Sequence, residues 1–423
     1  MAKSKIWVFN YDFEFELAKA NKVKLNLNNF SPWYFLNRSS NILLPLAHCN
    51  DLIICYQEPD LIHQNHLKTF LGHLPEFLKI KFQKIESNSI IDDYFDSINN
   101  TEIIDKGELS PWGYSIKAIE LAKKINPEIN IKNDYRLIKE INSKKFSTQV
   151  RKKISDFNCD VTSKIIDNKS ILKNELDLQL KEFYQKNSDF YIKNYFGVSG
   201  KLTDLISSTD FSDKKLNIWK DWIKKSQGIL LEKKQPVLNE WSLHFEINSE
   251  KKINTIGVTK LFSNNNGSYL GNLVSNSNQD FSKKLSKAFR KIPEIIKDLG
   301  YIGPISIDLI ETKNNDFKLI EINSRLSFGR LALNWQETKN QKKYGLLINL
   351  FEPSKNKIEI KNVIEYFENI NSTQDISITL INFSKRSERT HSTIFIRADK
   401  ESECLKVVSS YKDWIRSKLI LEM

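Results

Sequence analysis

The chain has 423 residues, with 64 Lys and Arg against 52 Asp and Glu, giving a formal net charge of +12 at pH 7. This length exceeds one typical hydrophobic core and predicts two or three domains. No apolar run approaches the roughly 20 residues that cross a bilayer. Acidic residues interrupt the first apolar stretch, where a signal peptide needs a continuous one. We therefore expect a cytoplasmic protein without a membrane partner.

The basic charge does not by itself predict nucleic-acid binding. Lysines are spread along the whole chain, in pairs such as Lys214–Lys215 and Lys224–Lys225. A nucleic-acid binder concentrates its positive charge on one face or stripe. A cleft for an anionic substrate would also be basic. Nucleic acid is therefore not an expected partner.

The cysteines indicate neither disulfides nor catalysis. The chain has four scattered cysteines without a Cys-x-x-Cys pair: Cys49, Cys55, Cys159 and Cys404. We expect reduced thiols that pack as small hydrophobic side chains. His48, His63 and His66 lie near the first two cysteines, which leaves zinc as a minor alternative. Their spacings fit no standard zinc ligand set.

The amino-terminal third alternates strand-like runs with helical stretches. Ile6–Phe9 and Leu52–Tyr56 are apolar runs of strand length, and Ser115–Lys124 has helical character. This alternation predicts a small α/β domain over residues 1–130, ended by the polar stretch around Pro127.

A lysine-bearing strand and a loop of small residues follow. Asp189–Lys193 is an aromatic and β-branched run that predicts a strand, and Gly197, Ser199 and Gly200 lie just beyond it. Glycines let backbone N–H groups approach an anion closely, and with a nearby lysine such groups can cradle phosphate.

The next predicted elements are a helix, two strands and a second helix. They are Lys214–Lys225, Gly228–Lys233, Val237–Glu246 and Phe281–Leu299. Pro293 should kink or divide the second helix. We expect the apolar side of this helix to pack beneath the strands that follow it.

The most informative segment is a predicted hairpin of two strands, within Tyr301–Ile310 and Phe317–Arg325. Apolar and polar residues alternate in the first strand, and Asn and Asp residues supply the turn. Asp308, Glu321 and Asn323 can then meet on neighbouring strands. Three oxygen-bearing side chains suit Mg²⁺, a hard cation that keeps room for substrate phosphates. Arg325 adds a fork that fits phosphate or carboxylate.

The pattern changes after Pro353. Short strands are predicted at Lys357–Ile360, Ile376–Ile381 and Thr393–Arg397, with a helix over Ser402–Ser409. Residues 336–423 should therefore form a small α+β appendage.

The order Gly-x-x-Gly-x-x-x-x-Asp followed by Glu-x-Asn-x-Arg resembles the metal-binding half of the ATP-grasp ligase superfamily. The resemblance implies a mixed α/β and α+β fold, with a two-lobed ATP-grasp core over residues 131–335. It also implies ATP and Mg²⁺ as cofactors, with the metal held on the ATP phosphates by Asp308, Glu321 and Asn323.

The resemblance carries further residues. It makes Lys193 the strand lysine that contacts the triphosphate, and Gly197, Ser199 and Gly200 the flap over it. The other implied nucleotide contacts are Glu232 and Lys233 at adenine and ribose, Glu240 on the next strand, and Lys145 at a helix start, with Lys144 close behind. The polar segment from Lys260 to Asn272 lies where these ligases line the acceptor pocket.

The first strand and two later segments are similar to those of a little-described bacterial ATP-grasp group. These chains begin with an Asn-centred motif and carry a Pro-Trp-Gly segment before the core. The present chain departs from the group, with Asn-Tyr-Asp-Phe-Glu where a Pro- and His-containing version is expected. Five residues would face the active cleft if this grouping holds: Asn10, Asp12, Glu14, Trp112 and Tyr114. Otherwise the aromatic residues are core.

Together these features predict an ATP-dependent carboxylate–amine ligase that acts on an amino acid or peptide through an acylphosphate. Lys193 would neutralise phosphate charge and Arg325 would hold the acylphosphate. Catalysis would rest on position and electrostatics, so no general base is assigned. His244 is a candidate base, but a histidine on such a strand is more often simply packed. The alternatives are an ATP-grasp phosphotransferase and a non-catalytic nucleotide- or nucleic-acid-binding protein. A homodimer stays open.

Overall fold

The computed structural model describes residues 4–19, 39–80, 107–125, 127–128, 131–154, 161–172, 175–197, 202–208, 211–263, 269–276, 279–313, 316–338, 342–353, 358–386 and 389–418. Ser199 and Gly200 of the predicted flap, and Cys159, lie outside these residues. Within the described ranges, no helix combines the length and the apolar character that a membrane span requires.

The first sheet is parallel. Its described strands, in the order β3-β2-β1-β4, are β1 (Lys5–Val8), β2 (Leu52–Cys55), β3 (Glu76–Lys79) and β4 (Glu108–Pro111). The helices of this region are Phe13–Lys19, Leu61–Leu71 and Ile116–Ile125, with a 3-10 helix at Ser40–Leu46. All four residues of β2 are buried, as expected for a parallel strand covered on both faces. The predicted α/β start of the chain is confirmed.

A small antiparallel sheet follows, and we call it the small sheet. Its described strands, in the order β5-β8-β6-β7, are β5 (Ser163–Asp167), β6 (Phe190–Asn194), β7 (Thr203–Ile206) and β8 (Gly228–Lys233). The helices around it are Tyr135–Ile141, Lys144–Lys153, Asn168–Leu172, Leu176–Asn187 and Asp213–Ser226. Its core joins Trp219 and Ile223 of the last helix to Phe190, Ile192 and Ile229 of the strands.

The third sheet is antiparallel and is the largest in the described part of the chain. Its strands, in the order β13-β12-β9-β10-β11-β14-β16-β15, are β9 (Asn239–Ile247), β10 (Ile253–Ser263), β11 (Tyr269–Ser275), β12 (Gly303–Glu311), β13 (Phe317–Asn323), β14 (Tyr344–Pro353), β15 (Ser377–Arg386) and β16 (Arg389–Ala398). Because β14 pairs with β11, the carboxy-terminal strands continue this sheet.

The carboxy-terminal helices differ from expectation in one place. Ile360 begins the helix Ile360–Thr373, whereas a strand was predicted there. A capping box between Glu359 and Asn362 starts this helix, and apolar residues at helical spacing bury one side of it. The predicted final helix is confirmed but is longer, at Glu401–Ser417.

The predicted helix before the metal strands is divided into Gln279–Ala288 and Lys291–Asp298. Pro293 lies in the first turn of the second helix, where a missing N–H is tolerated. Phe289, Ile292 and Ile296 pack into one core with Ile305 and Ile307 of β12, so the expected packing beneath these strands is confirmed. Leu299, the last residue of the predicted helix, is exposed because the second helix ends at Asp298.

Candidate active site

Asp308 of β12 is surrounded by polar side chains from both neighbouring strands. In the strand register it lies opposite Glu321 of β13 and Ser242 of β9. Ser242 Oγ donates a hydrogen bond to Asp308 Oδ1 at 2.8 Å, and Asn323 Nδ2 donates one to Asp308 Oδ2 at 3.0 Å. The structure thus brings together the predicted trio of Asp308, Glu321 and Asn323.

The electrostatics of the trio favour a bound cation. Burial and the charge of Glu321 raise the pKa of Asp308 to about 7, against lowering by the Ser242 hydrogen bond and Arg325. Asp308 therefore retains a proton near neutrality unless a cation neutralises the charge around it.

The donor set fits Mg²⁺ bound jointly with a nucleotide. Across the described ranges, no group of three His, Cys, Asp or Glu side chains is placed to hold a metal. The available protein ligands are the carboxylates of Asp308 and Glu321 with the amide oxygen of Asn323. Magnesium commonly takes a few carboxylates and completes its shell with phosphate and water oxygens.

Lys144, rather than Lys145, lies beside these acids. Ser143 caps the helix Lys144–Lys153 by accepting a hydrogen bond from Phe146 N at 3.1 Å. Lys144 Nζ donates to Glu321 Oε1 at 2.8 Å, whereas Lys145 is exposed. Successive helical residues point about 100° apart, so only one of two adjacent lysines can face the cleft.

Lys193 is held by a buried chain of charges. Its Nζ donates to Glu232 Oε1, and Arg151 Nη1 donates to Glu232 Oε2 at 3.1 Å. Arg151 also donates to Leu319 O of β13 at 2.7 Å and to Ser163 Oγ of β5 at 3.2 Å. Arg151 therefore connects the small sheet to the hairpin that carries Glu321 and Asn323.

Glu232 has a different setting from the one predicted. Its side chain is only 4% exposed and neutralises two cations. Burial raises its pKa, but Lys193 and Arg151 together outweigh burial and lower the pKa below its ordinary value. In the described structure Glu232 thus pairs with two cations, and its adenine or ribose contact stays a prediction.

The other predicted nucleotide contacts are more open. Lys233 is exposed at the end of β8, and Gly197 is half-buried beyond β6. Glu240 is half-buried and accepts a hydrogen bond from Ser263 Oγ at 2.9 Å. Their roles stay predictions.

Arg325 is bound by an acid from the first helix of the chain. Its Nε donates to Glu14 Oε1 at 2.7 Å, Nη2 donates to the same oxygen, and Nη1 donates to Leu326 O at 2.9 Å. The guanidinium carbon lies 5.6 Å from the ring centre of Trp112. Burial would lower the pKa of Arg325, but Glu14 raises it above its ordinary value.

The Asn-centred motif and the Pro-Trp-Gly segment meet beside Arg325. Asn10 Nδ2 donates to Gly113 O at 2.9 Å, and Leu326 N donates to Trp112 O at 3.0 Å. A Cβ at Gly113 would lie 2.5 Å from the ring of Phe13, so only glycine fits there. Asn10 and Trp112 are buried, so they shape this segment, while Glu14 reaches Arg325.

Three histidines considered from the sequence are structural. Burial and Arg330 lower the pKa of His244 to about 3, and its ring contacts Thr259 Oγ1 and Ser327 Oγ. His63 and His66 hydrogen-bond the backbone oxygen and nitrogen of Leu380, which joins their helix to β15. These contacts give the imidazoles a packing role.

A family model described as "L-aspartate--L-methionine ligase, ATP grasp" matches residues 193–323. Over these residues, about a third of the chain, the sequence matches an ATP-grasp ligase domain. No curated protein matches the chain by sequence. The match spans the Lys193 strand, β12 and β13, and ends two residues before Arg325. It confirms the predicted class of an ATP-dependent C–N bond-forming ligase that uses ATP and Mg²⁺.

Three solved structures are similar to this chain in fold. N5-carboxyaminoimidazole synthetase from Staphylococcus aureus, complexed with ADP, is 12% identical, with 97% of each chain covered and a TM-score of 0.54. Biotin carboxylase from Campylobacter jejuni is 12% identical, with 95% of this chain and 89% of that chain covered and a TM-score of 0.58. The biotin carboxylase domain of Hydrogenobacter thermophilus 2-oxoglutarate carboxylase is 11% identical, with 94% and 87% covered and a TM-score of 0.52.

Two residues of the site were not predicted from the sequence. Ser242 could have been found from the sequence, because it lies two positions after Glu240 on a predicted strand and so shares a face with it. No sequence pattern distinguished Arg151, since it is one cation among several at the end of a basic helix.

Proposed function

We propose that this protein is an ATP-dependent carboxylate–amine ligase that activates an amino acid or peptide carboxylate as an acylphosphate. The observation that carries the proposal is the position of the Arg325 fork beside the Asp308–Glu321 pair. Arg325 follows Asn323 by two residues, and its charge lowers the pKa of Asp308, which supports a single site for the guanidinium and the metal acids. The amino-acid substrates in the name of the matching family support this substrate class.

The reaction needs two displacements. A substrate carboxylate oxygen bonds to the γ-phosphorus of ATP and ADP leaves; the amine nitrogen then bonds to the acyl carbon, phosphate leaves, and the amine loses a proton. Magnesium, when bound, neutralises charge on the phosphates. The chain itself supplies position and charge: Lys144 and Lys193 face the phosphates, and Arg325 orients the carboxylate.

The proposed division of labour follows the predicted domains. Residues 1–130 bring Glu14 to the substrate side, residues 131–335 bind ATP and metal, and residues 336–423 extend the large sheet.

Product analysis tests the proposal. The protein is incubated with Mg-ATP and pairs of amino acids, including aspartate with methionine, and products are measured by mass spectrometry and phosphate release. A ligase gives ADP, phosphate and the joined product in equal amounts. A phosphotransferase gives ADP and a phosphorylated product without free phosphate. No turnover, together with salt-sensitive binding to DNA or RNA, would indicate a binding protein.

We expect the affinity for Mg²⁺ to depend on pH through Asp308. Below its pKa of about 7 the carboxyl holds a proton that Mg²⁺ must displace, so affinity should fall up to about tenfold per pH unit. Calorimetry of Mg²⁺ binding in the presence of ADP, in buffers of different ionisation enthalpy, measures both affinity and proton release. The Asp308→Asn variant should release no proton from this position when Mg²⁺ binds. Equal proton release by wild type and variant would contradict the assignment of Asp308 as the protonated ligand.

We expect Lys144 to contribute to nucleotide binding and Lys145 not to. Lys144→Met should raise the KM for ATP by about tenfold or more, because it removes a cation from the metal site. Lys145→Met is the matched control, with the same helix and the same lost charge, and should change KM less than about twofold. A larger effect at Lys145 would restore the original sequence-based choice.

A further inference from the structure

Glu14 and Arg325 form an ion pair with both members partly accessible, at 19% and 14% side-chain exposure. One carboxylate oxygen of Glu14 accepts from both Nε and Nη2 of Arg325. A substrate carboxylate that approaches this edge of the guanidinium must compete with Glu14 for the same donors. A substrate carboxylate bound at Arg325 would therefore open or reshape the pair.

The pair lies beside the metal acids. Arg325 follows Asn323 by two residues in the chain, and Glu14 accepts hydrogen bonds from Arg325. Aromatic rings enclose the pair: Arg325 lies over Trp112, and Tyr11 packs against Trp112 and Phe328 with ring centres 5.6 and 5.4 Å apart. In such surroundings an ionised carboxylate that loses its cation needs another one.

We propose that Glu14 binds the α-ammonium group of the amino acid whose carboxylate is activated. This inference rests on the proposed ligase function and names its substrate class: a free zwitterionic amino acid, or a peptide with its carboxylate close to an ammonium group.

The charge balance of the site supports this class. A simple carboxylic acid satisfies Arg325 but leaves Glu14 without a cation. An α-amino acid carries both charges on one carbon, so its carboxylate replaces Glu14 at Arg325 and its ammonium replaces Arg325 at Glu14. Every charge is then paired before and after binding, and the site discriminates against substrates that lack the ammonium.

The simpler alternative is that Glu14 only orients Arg325. Substitution of Glu14 would then weaken the binding of amino acids and the binding of their des-amino analogues equally. A role in ammonium recognition predicts instead that the difference in affinity between the two ligands is smaller in the Glu14 variant than in wild type. The comparison of ligands, and not the loss of activity, distinguishes these roles.

The experiment measures equilibrium binding and turnover of an accepted amino acid and of its des-amino analogue, using wild type, Glu14→Gln and a control. Glu14→Gln keeps an oxygen that can accept from Arg325. The control is Glu108→Gln, which removes a carboxylate from another ion pair of the amino-terminal region, with Lys132. Wild type and the control should prefer the amino acid by about 10³-fold, and Glu14→Gln should narrow this preference at least about tenfold.

The outcomes separate the two proposals. Equal use of both ligands by wild type, or an unchanged preference in Glu14→Gln, overturns the ammonium site and leaves the ligase function intact. Tight binding of the amino acid, lost in Glu14→Gln, without ADP release in any assay, supports the ammonium site and overturns the ligase function. An unfolding midpoint for Glu14→Gln close to that of wild type shows that the change is local.

Discussion

Asp308→Asn should lower ligase turnover by about 10³-fold or more while leaving the protein at least as stable as wild type. Turnover falls because the variant loses an anionic ligand for Mg²⁺ at the site of phosphoryl transfer. Stability is retained because the raised pKa of Asp308 means that its ionised form is unfavourable in the folded protein. A neutral amide of the same size removes this penalty above pH 7. Opposite directions for activity and stability are the signature of a residue kept for function.

The measurements are ADP release under saturating Mg-ATP and the midpoint of thermal unfolding at pH 8. Glu321→Gln should behave similarly in turnover, because it faces Asp308 across the hairpin. Ser242→Ala is the control: it removes a hydrogen bond to Asp308 but no charge, so we expect a loss of about tenfold or less. Full activity in both carboxylate variants would reject the metal site, whatever the fold.

The metal hairpin could be predicted from sequence because its information is local. Alternation fixes which side chains share a face, and a short turn fixes the pairing of two adjacent strands. Asp308, Glu321 and Asn323 therefore meet whenever the hairpin forms, and the structure brings them together. The same local logic explains why the strand Gly228–Lys233 was predicted with its observed bounds.

The parts that sequence reasoning missed depend on long-range packing. The choice between Lys144 and Lys145 depends on how a helix is rotated against a sheet 177 residues later in the chain. The pairing of Arg325 with Glu14 spans 311 residues and depends on the docking of the amino-terminal domain. The continuity of β14 with β11 has the same origin, since an isolated apolar run does not show which sheet it joins.

Glu232→Gln should destabilise the small sheet by about 3–5 kcal/mol, the cost of leaving buried cations without their partner. Arg151 and Lys193 both depend on this carboxylate, and the side chains of Arg151 and Glu232 are 1% and 4% exposed. Glu240→Gln is the matched control in the adjoining sheet, and we expect less than about 0.5 kcal/mol there because Glu240 is half-buried. Hydrogen exchange of the β6 and β8 amides reports the local loss without assuming that the whole chain unfolds in one step.

The difference in stability between wild type and Glu232→Gln should depend on pH, and this dependence identifies its electrostatic origin. The folded protein lowers the pKa of Glu232, so its contribution to stability is complete above the pKa of an unfolded glutamate and is lost as pH falls through the folded value. Wild type and Glu232→Gln should therefore converge as the pH is lowered through the acidic range below about 4.3. The double variant Arg151→Met and Glu232→Leu should lose less stability than Glu232→Gln alone. The apolar pair leaves only Lys193 without a partner, whereas Glu232→Gln leaves two cations without their carboxylate. Lys193 is also the cation that the proposed mechanism directs to phosphate. A difference in stability between wild type and Glu232→Gln that stays constant at every pH would mean that Arg151, Lys193 and Glu232 act through packing. Arg151 would then join the small sheet to the metal hairpin by shape rather than by charge.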